Sequence, residues 1–266
     1  SKEVIMWPSS SIMEIDLLTD NIKNMVNSLR FSFIKLKESQ DKLYRQAYYD
    51  SLTNLPNRLF FKKYLKDEIK DCENRICVMF MDLNRFKTIN DTMGHDIGDK
   101  LLVLVAERLK SLQDEKHHIF RLGGDEFVIV SKVNSIEEIK NDGIRAVEIF
   151  KEKFILEDKF SVKITGSIGA SIYPQDGTDI DKIIKYADIA MYESKCNGGN
   201  SLYLFNDTLK KEFYEKATIE KEVKNAIENS ELYLEYQPQV SAKDGKIRGV
   251  EALLRWKNDR LGIVPP

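Results

Sequence analysis

Ile119-Phe120-Arg121-Leu122-Gly123-Gly124-Asp125-Glu126-Phe127-Val128-Ile129-Val130 reads as two short apolar strands folded around a glycine turn. Glycine at a hairpin tip admits positive φ and lets a bulky group approach the backbone, and two carboxylates, Asp125 and Glu126, follow directly. A Gly-Gly pair alone is an ordinary tight turn, so its surroundings decide what it belongs to. Upstream, residues 76–81 form a continuous apolar run that stops at Asp82, the pattern of a strand buried on both faces with a carboxylate at its end. Ile97, Leu101, Leu102, Val105, Leu109 and Leu112 trace one face of a helix between that strand and the hairpin. Downstream, Ile144, Val147, Ile149 and Phe150 fall within another helix; Phe160, Val162 and Ile164, then Ile168, Ala170 and Ile172, alternate as strand residues. Ile180, Ile183, Ile184, Ala187, Ala190 and Met191 form a last amphipathic helix, ended by Gly198 and Gly199. The order is β-α-β-β-α-β-α-β, an α+β domain.

Asp82 and Asp125 are the candidates for holding a divalent cation. Adjacent strands can bring a strand end beside a hairpin turn, and hard cations such as Mg²⁺ take oxygen ligands, typically one or two carboxylates together with substrate phosphates. An isolated aspartate more often caps a helix or occupies a turn. The glycine turn and the run Leu83-Asn84-Arg85-Phe86-Lys87 shift that balance, because such a run can wrap backbone N–H groups and one ammonium around a polyphosphate. Its bland reading is that Arg85 and Lys87 are solvated charges flanking Phe86. His95, His117 and His118 have no metal-ligand spacing and read as structural or exposed.

Composition narrows the function classes. Across 266 residues, 41 basic side chains against 43 acidic ones leave a formal charge of −2, which gives no basic footprint for a nucleic acid backbone. Hydrophobic residues at 42% and charged residues at 32% describe a soluble globular chain with a heavily charged surface. Cys72, Cys77 and Cys196 are odd in number and lack metal spacing, which fits free thiols in a reducing compartment. No apolar run approaches the ~18 residues of a membrane helix, and no signal-peptide pattern opens the chain. A cytoplasmic location is expected.

The flanks differ from the centre. Ile15, Leu18, Ile22, Met25, Leu29, Phe33, Leu36, Leu43 and Ala47 recur at steps of three and four, a narrow coiled-coil seam interrupted by Gln40 and by a stutter through Met25, Leu29 and Phe33. A parallel pair with a second copy is the expectation, against a single amphipathic helix lying on its own domain. After residues 208–228, a charged helix-prone linker, two strands around Asp244-Gly245 begin another hairpin with too few residues to enclose a core.

Residues 50–58 (Asp50-Ser51-Leu52-Thr53-Asn54-Leu55-Pro56-Asn57-Arg58), 82–99 and 121–127 resemble, in order, the signature blocks of the GGDEF diguanylate cyclase family. The resemblance covers residues 48–207 and implies a cyclase-like palm, a mostly antiparallel central sheet flanked by helices. It further implies Mg²⁺, with Mn²⁺ as the substitute, held by Asp82, Asp125 and the carbonyl of Leu83, with Glu126 assisting and Asp125 relaying the 3′ proton. Phe86, Lys87 and Lys195 would meet the triphosphate of GTP, Gly123 and Gly124 would make room for it, and Asn90 and Asp99 would read guanine. Two GTP molecules would condense into cyclic di-GMP across a C2 homodimer. The chain departs from the family pattern at Asn54, where glycine is usual, at Asn84, where a second aspartate is common, and at Gly199, where the family carries an arginine that contacts phosphate. Asp114 and His117 stand where many relatives have the Arg-x-x-Asp of an inhibitory product site, so product feedback there is not expected. Residues 1–47 resemble a HAMP-like or coiled-coil signalling helix, which points to membrane attachment of the parent protein at the bacterial inner membrane through an upstream segment only. Residues 229–266, with Tyr236-Gln237-Pro238-Gln239-Val240 and Glu251-Ala252-Leu253-Leu254-Arg255-Trp256, resemble the opening of an EAL phosphodiesterase domain; Glu251 would be one metal ligand there, and no phosphodiesterase activity is expected of this stretch alone. The alternative to a cyclase is a catalytically weak, GTP-binding domain that regulates an EAL domain.

Overall fold

The computed structural model describes residues 13–70, 75–156 and 160–264. Cys72 lies outside them. Two compact units divide the chain between Tyr203 and Leu204. The first opens with α1 (Met13–Tyr48) and α2 (Arg58–Lys70), followed by β1 (Arg75–Leu83), α3 (Phe86–Met93) and α4 (His95–Lys110). The hairpin β2 (His117–Gly123) and β3 (Glu126–Val133), α5 (Ile136–Glu148), β4 (Phe154–Leu156), β5 (Phe160–Val162) and β6 (Gly166–Tyr173) come next. α6 (Ile180–Cys196) and β7 (Leu202–Leu204) complete it.

The central sheet has the order β2-β3-β1-β6-β7, and β1 pairs antiparallel with both β3 and β6. That central place explains the unbroken apolar run: every residue of β1 after Arg75 is buried. Ile76, Val78 and Phe80 join Phe61 and Leu65 of α2 and Ile183, Ala187 and Met191 of α6 in one core cluster. Cys77, Met79 and Met81 point the other way and are just as buried, leaving the buried faces of α4 and α5 to cover them. Burial holds the Cys77 thiol well above its usual range. A Cβ on Gly169 would stand 2.3 Å from the Ala187 carbonyl oxygen and 1.9 Å from the Met191 nitrogen. Only glycine therefore lets α6 lie flush on β6, and this close approach aims the C-terminal end of α6 at the ends of β1 and β6.

Two local expectations are corrected. The alternation from Phe160 to Ile172 is not one strand: Phe160–Val162 pairs with Phe154–Leu156 in a separate two-stranded ribbon, and the central strand starts at Gly166. Residues 163–165 break the run, and alternation alone cannot report which sheet a strand joins. Ile149 and Phe150 lie past the end of α5, in turns whose N–H groups reach back to Val147, where the next buried aromatic, Phe154, begins a strand.

α1 is a single helix whose seam residues Leu18, Met25, Leu29, Phe33, Leu36 and Leu43 are all more than half exposed. Its last turn rests on an aromatic cluster of Tyr44, Tyr48, Tyr49 and Phe60. Among the described residues no helix is long and apolar enough to cross a membrane. The second unit holds α7 (Asp207–Glu228), β8 (Leu232–Val240), β9 (Ile247–Asn258) and β10 (Gly262–Val264), with the sheet order β10-β9-β8. Its small core gathers Ala226, Trp256 and Val264, and Glu231 accepts hydrogen bonds from Trp256 Nε1 at 2.8 Å and Asn258 Nδ2 at 2.9 Å.

Candidate functional site

β-Sheet register assembles the acidic end of the sheet. Asp82 on β1 stands directly opposite Glu126 on β3, and Gly124-Asp125 forms the two-residue turn between β2 and β3. Gly123 at φ 137° and Gly124 at φ 53° carry the positive dihedrals that this turn needs. Arg121 braces it from below. Its guanidinium is 7% exposed and donates to Asp50 Oδ1 at 2.6 Å and to the Gly124 carbonyl at 3.2 and 2.7 Å. The 50–58 block is thereby tied to the glycine turn.

Asp82 is nearly buried, and Lys195 at the end of α6 places its ammonium 2.7 Å from Asp82 Oδ1. The carboxyl of Asp82 titrates above its usual range. Burial is the main cause, Lys195 opposes it, and the negative charges of Asp125 and Glu126 add to it. Glu126 is drawn elsewhere, to Arg58 Nη2 at 3.3 Å. Two carboxylates placed face to face by register are thus held by different cations and line different cavities. Asp82, Asn84, Arg85, Lys195 and Gly198 line one of about 280 Å³; Glu126 lines another of about 240 Å³ with Arg58, Lys62, Asp181 and Asp188.

A hard cation fits this donor set. Among the described residues no group of three or more His, Cys, Asp or Glu side chains is arranged to hold a metal ion. The protein's share would be two carboxylates and a backbone oxygen, with water and phosphate completing the shell, the usual arrangement for Mg²⁺. The carboxylate repulsion felt at Asp82 is what a divalent cation relieves.

The remaining sequence candidates are spread along α3 and α4. Phe86 is buried at 7% exposure as the first residue of α3, and a Cβ on Gly98 would touch its ring at 3.2 Å. Its ring is therefore a packing element, and only its backbone is left to face a phosphate. Lys87 is exposed and does not line the Asp82 cavity. Asn90 packs its Oδ1 against Gly98, buried and without a hydrogen-bond partner. Asp99 is exposed and lines a cavity of about 620 Å³ whose apolar walls include Leu52, Val103, Leu104 and Ile155. Reading the sequence missed these walls and missed Arg85 as a lining residue. Leu52 could have been suspected from its place in the 50–58 block, whereas no sequence signal separates Arg85 from Lys87.

At residues 114–117, His117 is clamped between two carboxylates: Nδ1 is 2.7 Å from Asp114 and Nε2 is 3.0 Å from Asp142, which also meets Arg145 at 3.6 Å. Burial alone would lower the His117 pKa, but the bonds to Asp142 and Asp114 outweigh it and raise it above the ordinary value. A raised folded pKa stabilises fully below the unfolded value of ~6.5 and loses that stabilisation as pH rises through the folded value. Thermal melts at low salt, from pH 6 to pH 9, should show the parent protein losing ~2 °C or more relative to His117→Asn. Parallel curves would refute the clamp.

The chain is similar to known proteins over most of its length. The profile described as "Diguanylate cyclase, GGDEF domain" matches residues 47–201, and that of the EAL domain matches residues 220–266. The chain is 34% identical over 235 residues to the cyclic di-GMP phosphodiesterase NbdA of Pseudomonas aeruginosa, covering 87% of this chain and 30% of the relative. It is 35% identical over 234 residues to the bifunctional diguanylate cyclase/cyclic di-GMP phosphodiesterase MucR of the same organism, covering 87% and 34%. The chain therefore spans about a third of the length of these curated relatives. Among solved structures, the GGDEF domain of TpbB (YfiN) from Pseudomonas aeruginosa superposes with a TM-score of 0.61 at 31% identity, covering 63% of this chain and 99% of that one. The coiled coil and GGDEF domain of DgcB from Caulobacter crescentus, in complex with c-di-GMP, gives 0.63 at 25% identity, covering 69% and 98%.

Proposed function

The chain belongs to the GGDEF diguanylate cyclase family, with the start of an EAL domain behind it, and from that premise we propose that it binds GTP with Mg²⁺ and condenses two GTP into cyclic di-GMP. One observation carries the reading: Asp82, the last residue but one of β1, lies opposite Glu126 and beside the Gly124-Asp125 turn, with the Lys195 ammonium 2.7 Å away. Asp82, Asp125 and the Leu83 carbonyl would hold Mg²⁺, or Mn²⁺ in its place. When bound, the metal polarises phosphoryl oxygens and favours the alkoxide form of the attacking hydroxyl.

The side chains do the rest. Lys195, whose ammonium lies 2.7 Å from Asp82, would meet the phosphate beside that carboxylate. Asn90 and Asp99 read guanine, whose N1–H and N2–H₂ groups suit a carboxylate and whose N3 and N2–H₂ suit an amide. The unpartnered Asn90 Oδ1 and the apolar cavity beside Asp99 support this. Asp125 takes the proton of the 3′-hydroxyl, whose oxygen forms a bond to the α-phosphorus of the other GTP as the bond to pyrophosphate breaks and pyrophosphate leaves. Each protomer supplies half of the reaction, so the catalytic unit is a homodimer, and the exposed seam of α1 suits a parallel pair that holds it.

A second reading is a GTP-binding domain without appreciable turnover that regulates an EAL domain. Gly199 favours it, because a phosphate-binding cation is missing there. Incubation of the dimer with GTP and Mg²⁺, measuring retained GTP and cyclic di-GMP, decides. Product formation supports the cyclase, retained GTP without product supports the second reading, and neither signal refutes both.

A further inference from the structure

We infer that Arg85 is a phosphate-binding cation of this chain, acting from the turn between β1 and α3, while residue 199 is a glycine that carries no charge. The inference rests on the GTP reading of the Asp82 cavity. Gly199 has φ +70°, and a Cβ there would stand 2.3 Å from Asn84 Nδ2 and 3.0 Å from Ser167 Oγ. The Asn84 amide is not free to yield. Its Nδ2 donates to Thr165 Oγ1 at 2.9 Å, its Oδ1 accepts from Ser167 Oγ at 2.8 Å, and its backbone N–H donates to the Thr165 carbonyl at 2.8 Å. Asn84 and Gly199 therefore form a single feature: the amide fills the space that a side chain at 199 would need, and both residue choices remove charge from this end of the sheet.

Arg85 restores a positive charge to the same cavity. It lines that cavity with Asp82, Asn84, Lys195 and Gly198, while Lys87 does not. It adopts φ 60° and ψ 24°, a left-handed conformation uncommon for a residue with a Cβ, and its carbonyl accepts the Thr88 and Ile89 N–H groups of the first turn of α3 at 3.0 and 3.4 Å. The other cation of the cavity, Lys195, is already bonded to Asp82. No ion pair of Arg85 is found among the described residues, and the residue is exposed while it lines the cavity. A guanidinium presents a planar fork that matches two phosphate oxygens at once, which an ammonium cannot do.

Equilibrium titration of the whole chain with GTP plus Mg²⁺, and separately with guanosine, tests this in the parent protein, Arg85→Ala and Arg85→Lys. Arg85→Ala is expected to weaken GTP binding by ~10-fold or more and leave guanosine binding unchanged, with Arg85→Lys between the parent and the alanine variant. Unchanged GTP affinity in Arg85→Ala, or equal loss for GTP and guanosine, overturns the assignment while leaving the GTP reading in place. A parent protein that binds no GTP overturns the nucleotide reading and the assignment with it.

Discussion

Asp82→Asn is expected to lower the rate of cyclic di-GMP formation by ~10²–10³-fold while leaving the protein at least as stable as its parent. The substitution keeps the volume of the side chain and the pairing of β1, so the fold has no reason to change. It removes the charge that would hold the cation. The parent carboxylate pays for its position, since burial and the charges of Asp125 and Glu126 raise its pKa. The Lys195 side chain, 37% exposed, can return its ammonium to water when its partner becomes neutral. Only the lysine end of the pair reaches solvent, so the loss of the ion pair is offset by the relief of burial and repulsion at residue 82. Thermal melts and product quantification on the same preparations check both halves, and undiminished turnover in Asp82→Asn would remove the basis of the cyclase reading. Loss of activity with an equal or higher melting temperature is the signature of a site that trades stability for function.

The largest effect on stability is expected at Arg121. Arg121→Ala should cost ~3–5 kcal/mol at neutral pH, because it leaves the Asp50 carboxylate partly buried without its cation and the Gly124 carbonyl without its donor. Burial pushes the Asp50 pKa up, but hydrogen bonds from the Thr53 hydroxyl and N–H and from Arg121 prevail and hold it below its usual value. A lowered folded pKa stabilises fully above the unfolded value of ~3.9, and the stabilisation fades as pH falls through the folded value. The gap between Arg121→Ala and the parent in urea unfolding should therefore be wide at pH 7 and narrower at ~pH 3. A gap independent of pH would mean that Arg121 acts through packing alone. Because the same guanidinium fixes the Gly124 carbonyl, one residue from Asp125, turnover should fall with stability.

The legible part of the site was the part written in local pattern. The glycine turn, the carboxylates after it, and Asp82 at the end of an apolar run each show within a few residues. Phe86 and Lys87 illustrate the limit. The family resemblance puts both of these adjacent residues at phosphate, and it does not tell that the Phe86 ring packs at Gly98 or that Lys87 lies outside the Asp82 cavity. Arg85 enters the cavity because its backbone turns left-handed at the head of α3, and residue type does not announce that turn for arginine. Asn84 and Gly199 are separate departures in the sequence, and only the structure, where a Cβ on Gly199 would stand 2.3 Å from Asn84 Nδ2, makes them one.

By itself, then, the amino-acid order determined the buried central strand, the main amphipathic helices, the hairpin with its acidic tip and the family, since periods of two and 3.6 residues and contiguous motifs are properties of neighbours in the chain. Tertiary structure alone decided the strand order that sets Asp82 against Glu126, the flush packing of α6 at Gly169 that delivers Lys195 to Asp82, and the division of the carboxylates between two cavities. These depend on where distant segments meet and on how closely two backbones can approach, and both are settled by packing of the whole core.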